Sequence, residues 1–154
     1  MTTESTGQQL VVVGVDGSAE SVAAVAWAAR YAAATGAQVR AILAWHYPGA
    51  VGGPAIEVAP EAIHHQTEEQ MRETLNEVVA QVYGGQAPAG VEAMLGYGHA
   101  SQVLIEASKE ADLLVVGSRG HREFAGMLIG SVSLHCVAGA SCPVVVIRGA
   151  HEDG

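Results

Sequence analysis

Gly117 and Gly120 stand three residues apart, and after nine intervening residues come Gly130 and Ser131, all directly behind the apolar run Leu113, Leu114, Val115, Val116. Glycine lets the main chain take a positive φ and lets a ligand approach without a Cβ in the way. A helix opening at Ser131 offers backbone N–H groups and the positive end of its dipole to an anion. Ser131 and Ser133 add hydroxyl donors, and Arg119 and Arg122 lie inside the loop. The chain has only seven Lys and Arg against sixteen Asp and Glu. A locally cationic loop on an acidic protein suits an anionic ligand such as a phosphate chain. The spacing alone fits a second reading equally well, a surface connection whose glycines shape turns and whose serine caps a helix.

The neighbouring pattern predicts what positions the loop. Leu10 to Val15 is apolar and β-branched and stops at Asp16-Gly17-Ser18, a turn signal whose serine can cap a following helix. Val22, Val25, Ala26 and Ala29 repeat at helical spacing as far as Gly36, a suitable residue just past a helix end. Val39 to Trp45 reads as a second strand and His46 to Ala59 as an irregular connection. Met71, Leu75, Val78 and Val82 form one apolar stripe on a helix from about Pro60 to Tyr83, with Glu68, Glu69, Glu73 and Glu77 toward water. Val91 to Tyr97, Asp112 to Val116 and Pro143 to Ile147 read as strands, and Ser101 to Lys109 and Ser131 to Ala140 as helices. Strands alternating with helices, several nearly continuous in Val, Leu and Ile, predict a doubly wound α/β domain with a five-stranded parallel sheet covered on both faces. Ligands of such sheets bind beyond the carboxyl ends of the strands, where strand order reverses. Asp16 after the first strand and Gly117 after the fourth share that edge if those strands are adjacent.

A length of 154 residues suits one domain, expected over 10–148, with flexible ends at 1–9 and 149–154. A net charge of −9 opposes nucleic-acid backbones and anionic lipid alike, so neither DNA, RNA nor a membrane is an expected partner. Met1 to Gln9 is polar and no apolar run is long enough to span a bilayer, which predicts a cytoplasmic protein. Cys136 and Cys142 are too few for a disulfide framework and are not spaced for a metal, so both are expected to act as small hydrophobes.

The sequence Gly117-Ser118-Arg119-Gly120, nine residues, then Gly130-Ser131, together with Val13-Gly14-Val15-Asp16-Gly17-Ser18, resembles the ATP-binding branch of the universal stress protein family. The likeness takes in the Gly98 turn, the Ala111-to-Gly117 run and the closing Cys142-to-Ile147 strand, and so covers nearly the whole chain. It implies a Rossmann-like sheet of the adenine nucleotide alpha hydrolase type, in strand order 3-2-1-4-5. Carried over residue by residue, it places Gly14, Val15 and Asp16 on the adenosine side, the Asp16 carboxylate near the ribose or a metal-bound water, and the Ala44 main chain at the adenine. Gly117 and Gly120 would pass under the ribose and α-phosphate, with Val116 and Ser118 also among the nucleotide-binding residues. Gly130, Ser131, Val132 and Ser133 would hold the outer phosphates, with Arg119, His121 and Arg122 in the variable part of the loop. Mg²⁺ would bridge phosphates rather than sit in a protein cage. The resemblance further implies a homodimer through Val144, Val145, Val146 and Ile147, and a stress-response regulator whose ATP occupancy modulates an unnamed protein partner or its oligomeric state. Alternatives are a slow ATPase or autophosphorylating enzyme acting at Ser131, and a module for cyclic AMP or AMP. No conventional enzyme is expected, since no base or nucleophile is placed for a γ-phosphate.

Other signals are weaker. Gly96-Tyr97-Gly98-His99-Ala100-Ser101 nearly spells a dinucleotide fingerprint, but serine replaces the last glycine and the later acidic residue is missing. Neither a P-loop lysine motif nor a Gly-x-Ser-x-Gly elbow is present. His64 and His65 with Glu61 and Glu68 fit a solvated helix face better than a metal site. His135 beside Cys136 reads as helix surface beside helix core. Trp27 and Trp45 read as packing residues, with Trp45 next to the adenine position. Asp16 is the one carboxylate in a functional place, and an Asx turn at the first helix is its ordinary alternative.

Overall fold

The computed structural model describes residues 7–46, 67–119 and 129–149 in full and residues 60–66 by their backbone. Expectations placed on residues 1–6 and 150–154, on the connection after His46 and on Gly120, His121 and Arg122 lie outside the described residues. In chain order the elements are β1 (Leu10–Val15), α1 (Ala19–Thr35), β2 (Gln38–Trp45), α2 (Pro60–Tyr83), β3 (Val91–Tyr97), α3 (Ala100–Ser108), β4 (Leu113–Gly117), α4 (Ser131–Gly139) and β5 (Val144–Ile147). The sheet order is β3-β2-β1-β4-β5 and every pairing is parallel. That is the doubly wound fold and the strand order expected.

Local chemistry sets the ends of α1. Ser18 is extended, at φ −75° and ψ 162°, and its Oγ accepts from the Ser21 N–H at 3.2 Å. Gly36 closes the helix at φ 80°, a conformation that L side chains resist, and its N–H donates to the Ala32 carbonyl at 2.7 Å. Other boundaries move by a residue. β4 runs on through Gly117 because Gly117 pairs with Ile147 and the Ser118 N–H donates to the Ile147 carbonyl at 2.7 Å. α3 starts at Ala100 with His99 as its cap, one position ahead of the expected Ser101.

Both sheet faces are covered, so alternate residues of one strand enter different cores. Val11, Val13 and Val15 of β1 pack with Ala24, Val25 and Ala28 of α1 and with Leu75, Val78 and Val79 of α2. Val12 faces the other way and joins Ile42, Leu104, Leu114, Val116 and Cys136 under α3 and α4. Alanine at positions 24 and 28 brings α1 close to the sheet, and both are fully buried. On α2 the predicted stripe is the buried one, with Met71 and Val82 at its margin. Glu69, Glu73 and Glu77 are exposed, and Glu68 pairs with Arg72 one turn on, at 3.3 Å. Both cysteines are free. Burial pushes the Cys136 thiol up to about 11; burial first, then the Asp112 carboxylate, also raises Cys142. Cys136 is thus a small hydrophobe of the second core, and Cys142 packs at its edge. No helix among the described residues is long and apolar enough to cross a membrane.

Candidate functional site

β1 lies between β2 and β4, pairing Val11 with Leu113 and Val13 with Val115. The adjacency on which the shared edge depended is therefore present. Between the carboxyl ends of β1 and β4 opens a cleft of about 500 Å³, counting the open space at its mouth. Ten predicted residues line it: Gly14, Val15 and Asp16 after β1, Ala44 on β2, Val116, Gly117 and Arg119 from β4 onward, and Gly130, Val132 and Ser133 at the start of α4. Ser118 and Ser131 lie in the same segments but not on the cleft wall. Ser118 is buried and holds the loop base, donating to Ile147 and accepting from the Gly130 N–H. Ser131 is the exposed first residue of α4.

Four lining residues were not foreseen: Ser21, Ile42, Ala100 and Leu104. Ile42 is two positions before Ala44 and so shares its sheet face, a signal the strand period contains. Ala100 and Leu104 are one turn apart on α3 and face the cleft together. Ser21 had a cue too, since it stands three residues after the capping Ser18.

The turn after β1 is held by its own side chains. Asp16 Oδ1 accepts from the Ser18 N–H at 2.9 Å, and the Asp16 N–H donates to Ser21 Oγ at 3.3 Å. Ser21 Oγ in turn donates to the Ser18 carbonyl at 3.0 Å. Asp16 therefore makes the Asx turn and also lines the cleft; the cap itself is Ser18.

At the opposite wall, α4 begins on Gly130, which is extended at φ −84° and ψ 170° and brings no capping side chain. First-turn amides have no intrahelical carbonyl to bond. At α1 a serine hydroxyl occupies that place; at α4 the cap residue is a glycine, which supplies no side-chain oxygen. Ser133 is buried and its Oγ donates to the Gly117 carbonyl, tying α4 to the end of β4. Its hydroxyl proton is thereby engaged within the protein.

Gly117 has a packing reason as well as a ligand reason to be glycine. A Cβ there would sit 2.8 Å from Glu20 Cβ and 3.0 Å from the Glu20 carbonyl carbon, and a backbone neighbour cannot swing aside. Gly117→Ala is expected to displace the first turn of α1 and to cost about 1–3 kcal/mol, read as a lower urea midpoint. A midpoint equal to wild type would contradict this contact. Arg119 reaches Glu20 as well, Nη2 to Oε2 at 3.2 Å.

The cleft wall includes the apolar side chains of Ile42, Ala44, Leu104, Val116 and Val132, which suit a flat ring. The same wall carries Arg119 and the start of α4, which suit an anion. Among the described residues no group of three or more His, Cys, Asp or Glu is placed to hold a metal ion. Asp16 is the carboxylate among the described lining residues, and it fits contact with a cation through water.

The remaining sequence signals fall elsewhere. Trp45 belongs to the core on the opposite sheet face and meets Tyr97 edge-on at 5.1 Å, while Trp27 stacks on Tyr31 at 5.3 Å. A Cβ on Gly96 would come within 2.6 Å of Val103 Cγ1, so that glycine lets α3 pack onto β3. His135 is exposed beside buried Cys136, its Nδ1 2.8 Å from the Ser131 carbonyl. The side chains of Glu61, His64 and His65 lie outside the described residues.

Comparison with known proteins gives a consistent grouping. The model of the universal stress protein family matches residues 9–148. A universal stress protein of Mycolicibacterium smegmatis is 35% identical over 146 residues, which is 90% of this chain and 48% of that protein. The chain spans about half the length of the curated relatives it matches. Among solved structures, a universal stress protein in complex with cAMP superposes with a TM-score of 0.68 at 27% identity, covering 94% of this chain and 100% of that one. The universal stress protein from Archaeoglobus fulgidus in complex with dAMP gives 0.58 at 25% identity, covering 90% and 97%.

Proposed function

This chain belongs to the universal stress protein family, and we propose that it binds an adenine nucleotide, ATP with Mg²⁺ foremost, in the cleft between β1 and β4. Occupancy then modulates a protein partner or the oligomeric state in a stress response. The observation that carries the reading is the union of an apolar slot with a glycine-capped helix start at one strand edge. In this reading the base lies against Ala44, Ile42 and Leu104, and the ribose lies over Gly14 and Gly117 near Asp16. The phosphates lie over Gly130 at the α4 start and meet the first-turn amides at Ser131 and Val132, with Arg119 beside them. Asp16 would hold a water of Mg²⁺, and the ion would supply charge neutralisation to the phosphate chain; Asp16 is the one carboxylate among the described lining residues. The similar structures solved with cAMP and dAMP support an adenine ligand. The cAMP complex also favours a second reading, in which a cyclic or simple monophosphate is the occupant.

Calorimetry with ATP, ADP, AMP and cAMP, each with and without Mg²⁺, tests the proposal. Saturable binding of at least one is expected; absence of heat with all four removes the reading.

We further propose a cytoplasmic homodimer. Two free cysteines suit a reducing compartment. β5 is an edge of the sheet with Val144, Val145, Val146 and Ile147 half-covered, and Leu134 and Val137 on the adjoining α4 are 51% and 53% exposed. An apolar edge of this kind is a template for pairing, and a second copy would close it across a two-fold axis. Sedimentation velocity at micromolar concentration should give twice the chain mass; a single monomeric species would contradict it.

A further inference from the structure

Glu20 is not among the described residues of the cleft wall, yet it pairs with the one cation that is. Among the described lining residues Arg119 alone carries a positive charge, and its Nη2 stands 3.2 Å from Glu20 Oε2. Glu20 itself is closely confined. Its Cβ and backbone press on Gly117, where a Cβ would fall 2.8 Å away. Its carboxylate lies against Gly149 beyond β5, where a Cβ would fall 2.8 Å from Oε2. The side chain is only 15% exposed, and its place in the first turn of α1 favours a negative charge. The carboxylate is therefore fixed, whereas Arg119 lies at the end of the glycine loop.

We infer that Glu20 determines which phosphate charge the cleft accepts, by competing with the ligand for Arg119. The inference rests on the nucleotide reading given above. A phosphate seated at the start of α4 must share the guanidinium with Glu20 or draw it away. The attraction to Arg119 that the ligand thereby forfeits grows with the charge on the ligand and is screened less than it would be at an open surface. The cleft consequently discriminates against bare polyphosphate and favours phosphate groups of low net charge, namely a cyclic or simple monophosphate or a polyphosphate neutralised by Mg²⁺. Glu20 acts here through Arg119 and is a specificity-determining positioning residue.

The test is a set of dissociation constants for adenosine, cAMP, Mg²⁺-free ATP and Mg²⁺-ATP, measured on wild type, Glu20→Gln, Arg119→Ala and the double variant. Glutamine keeps the shape of Glu20 and removes its charge. Glu20→Gln is expected to bind Mg²⁺-free ATP about tenfold tighter and cAMP about twofold tighter, with adenosine unchanged, the ordering that a charge–charge interaction requires. The gain should vanish when Arg119 is alanine. Glu20→Asp, which withdraws the carboxylate by one methylene, gives a smaller gain in the same order and serves if the glutamine variant misfolds. An unchanged ATP affinity in both variants, an equal gain for adenosine, or a gain that persists without Arg119 would each overturn the inference while leaving nucleotide binding intact. Failure of every ligand to bind wild type would instead remove the nucleotide reading, and this inference with it.

Discussion

Gly130→Asp should weaken Mg²⁺-ATP binding about 100-fold, the scale of a fully displaced charge-assisted contact, while the melting temperature holds or rises. The cap residue of α4 is extended at φ −84° and ψ 170°, which aspartate adopts without strain. Aspartate is also among the best N-caps, better than glycine by a few tenths of a kcal/mol, and its charge suits the positive end of the dipole. Its carboxylate would accept from the first-turn amides and so occupy the place assigned to the phosphate with the wrong sign of charge. The substitution thus separates binding from folding, which Gly117→Ala does not, since Gly117 also packs on the Glu20 backbone. Calorimetry and thermal denaturation on the same sample check both halves. Wild-type ATP affinity in Gly130→Asp would show that the α4 start is not the phosphate site.

Leu114→Ala should cost about 3 kcal/mol, within the usual range for a buried leucine. Leu114, the second residue of β4, is fully buried, in one cluster with Val12, Leu104, Val116 and Cys136. Leu104 and Val116 also line the cleft, so the void would open directly beneath the binding surface. The sheet around it is paired on both sides of β4 and has little freedom to collapse. Urea denaturation should show a lower midpoint at an unchanged slope. A loss below about 1 kcal/mol would mean that this core relaxes far more than its pairing suggests.

Much of this architecture was legible before the structure, for reasons specific to its elements. β1, α2 and β3 have the bounds that their apolar patterns and flanking glycines mark, because local composition and burial agree there. Buried parallel strands read as continuous Val and Leu, and β4 does so plainly. The sheet order came from family resemblance rather than from the residue pattern, since strand adjacency depends on contacts distant in sequence. The site divides in the same way. Glycines and caps at turns were visible because turn geometry restricts residue choice locally. Leu104 and Ala100 were not, because an apolar residue on α3 looks the same whether it faces a core or a cleft. Glu20 was missed for a related reason. Its significance comes from Gly117, Arg119 and Gly149, and no spacing within α1 announces them. Asp16 shows that two readings of one residue need not compete: it makes the Asx turn, and that turn is what holds its carboxylate at the cleft.

The central claim is that an adenine nucleotide occupies the edge between β1 and β4. Titration of ¹⁵N-labelled protein with Mg²⁺-ATP, followed through the backbone amide resonances, tests it most directly. Saturable shifts are predicted at Gly14, Asp16, Ala44, Gly117, Gly130 and Val132, with the amides of α2 and the amino-terminal ends of the strands unmoved. No shifts at millimolar nucleotide, or shifts confined to surfaces away from that edge, would contradict the account.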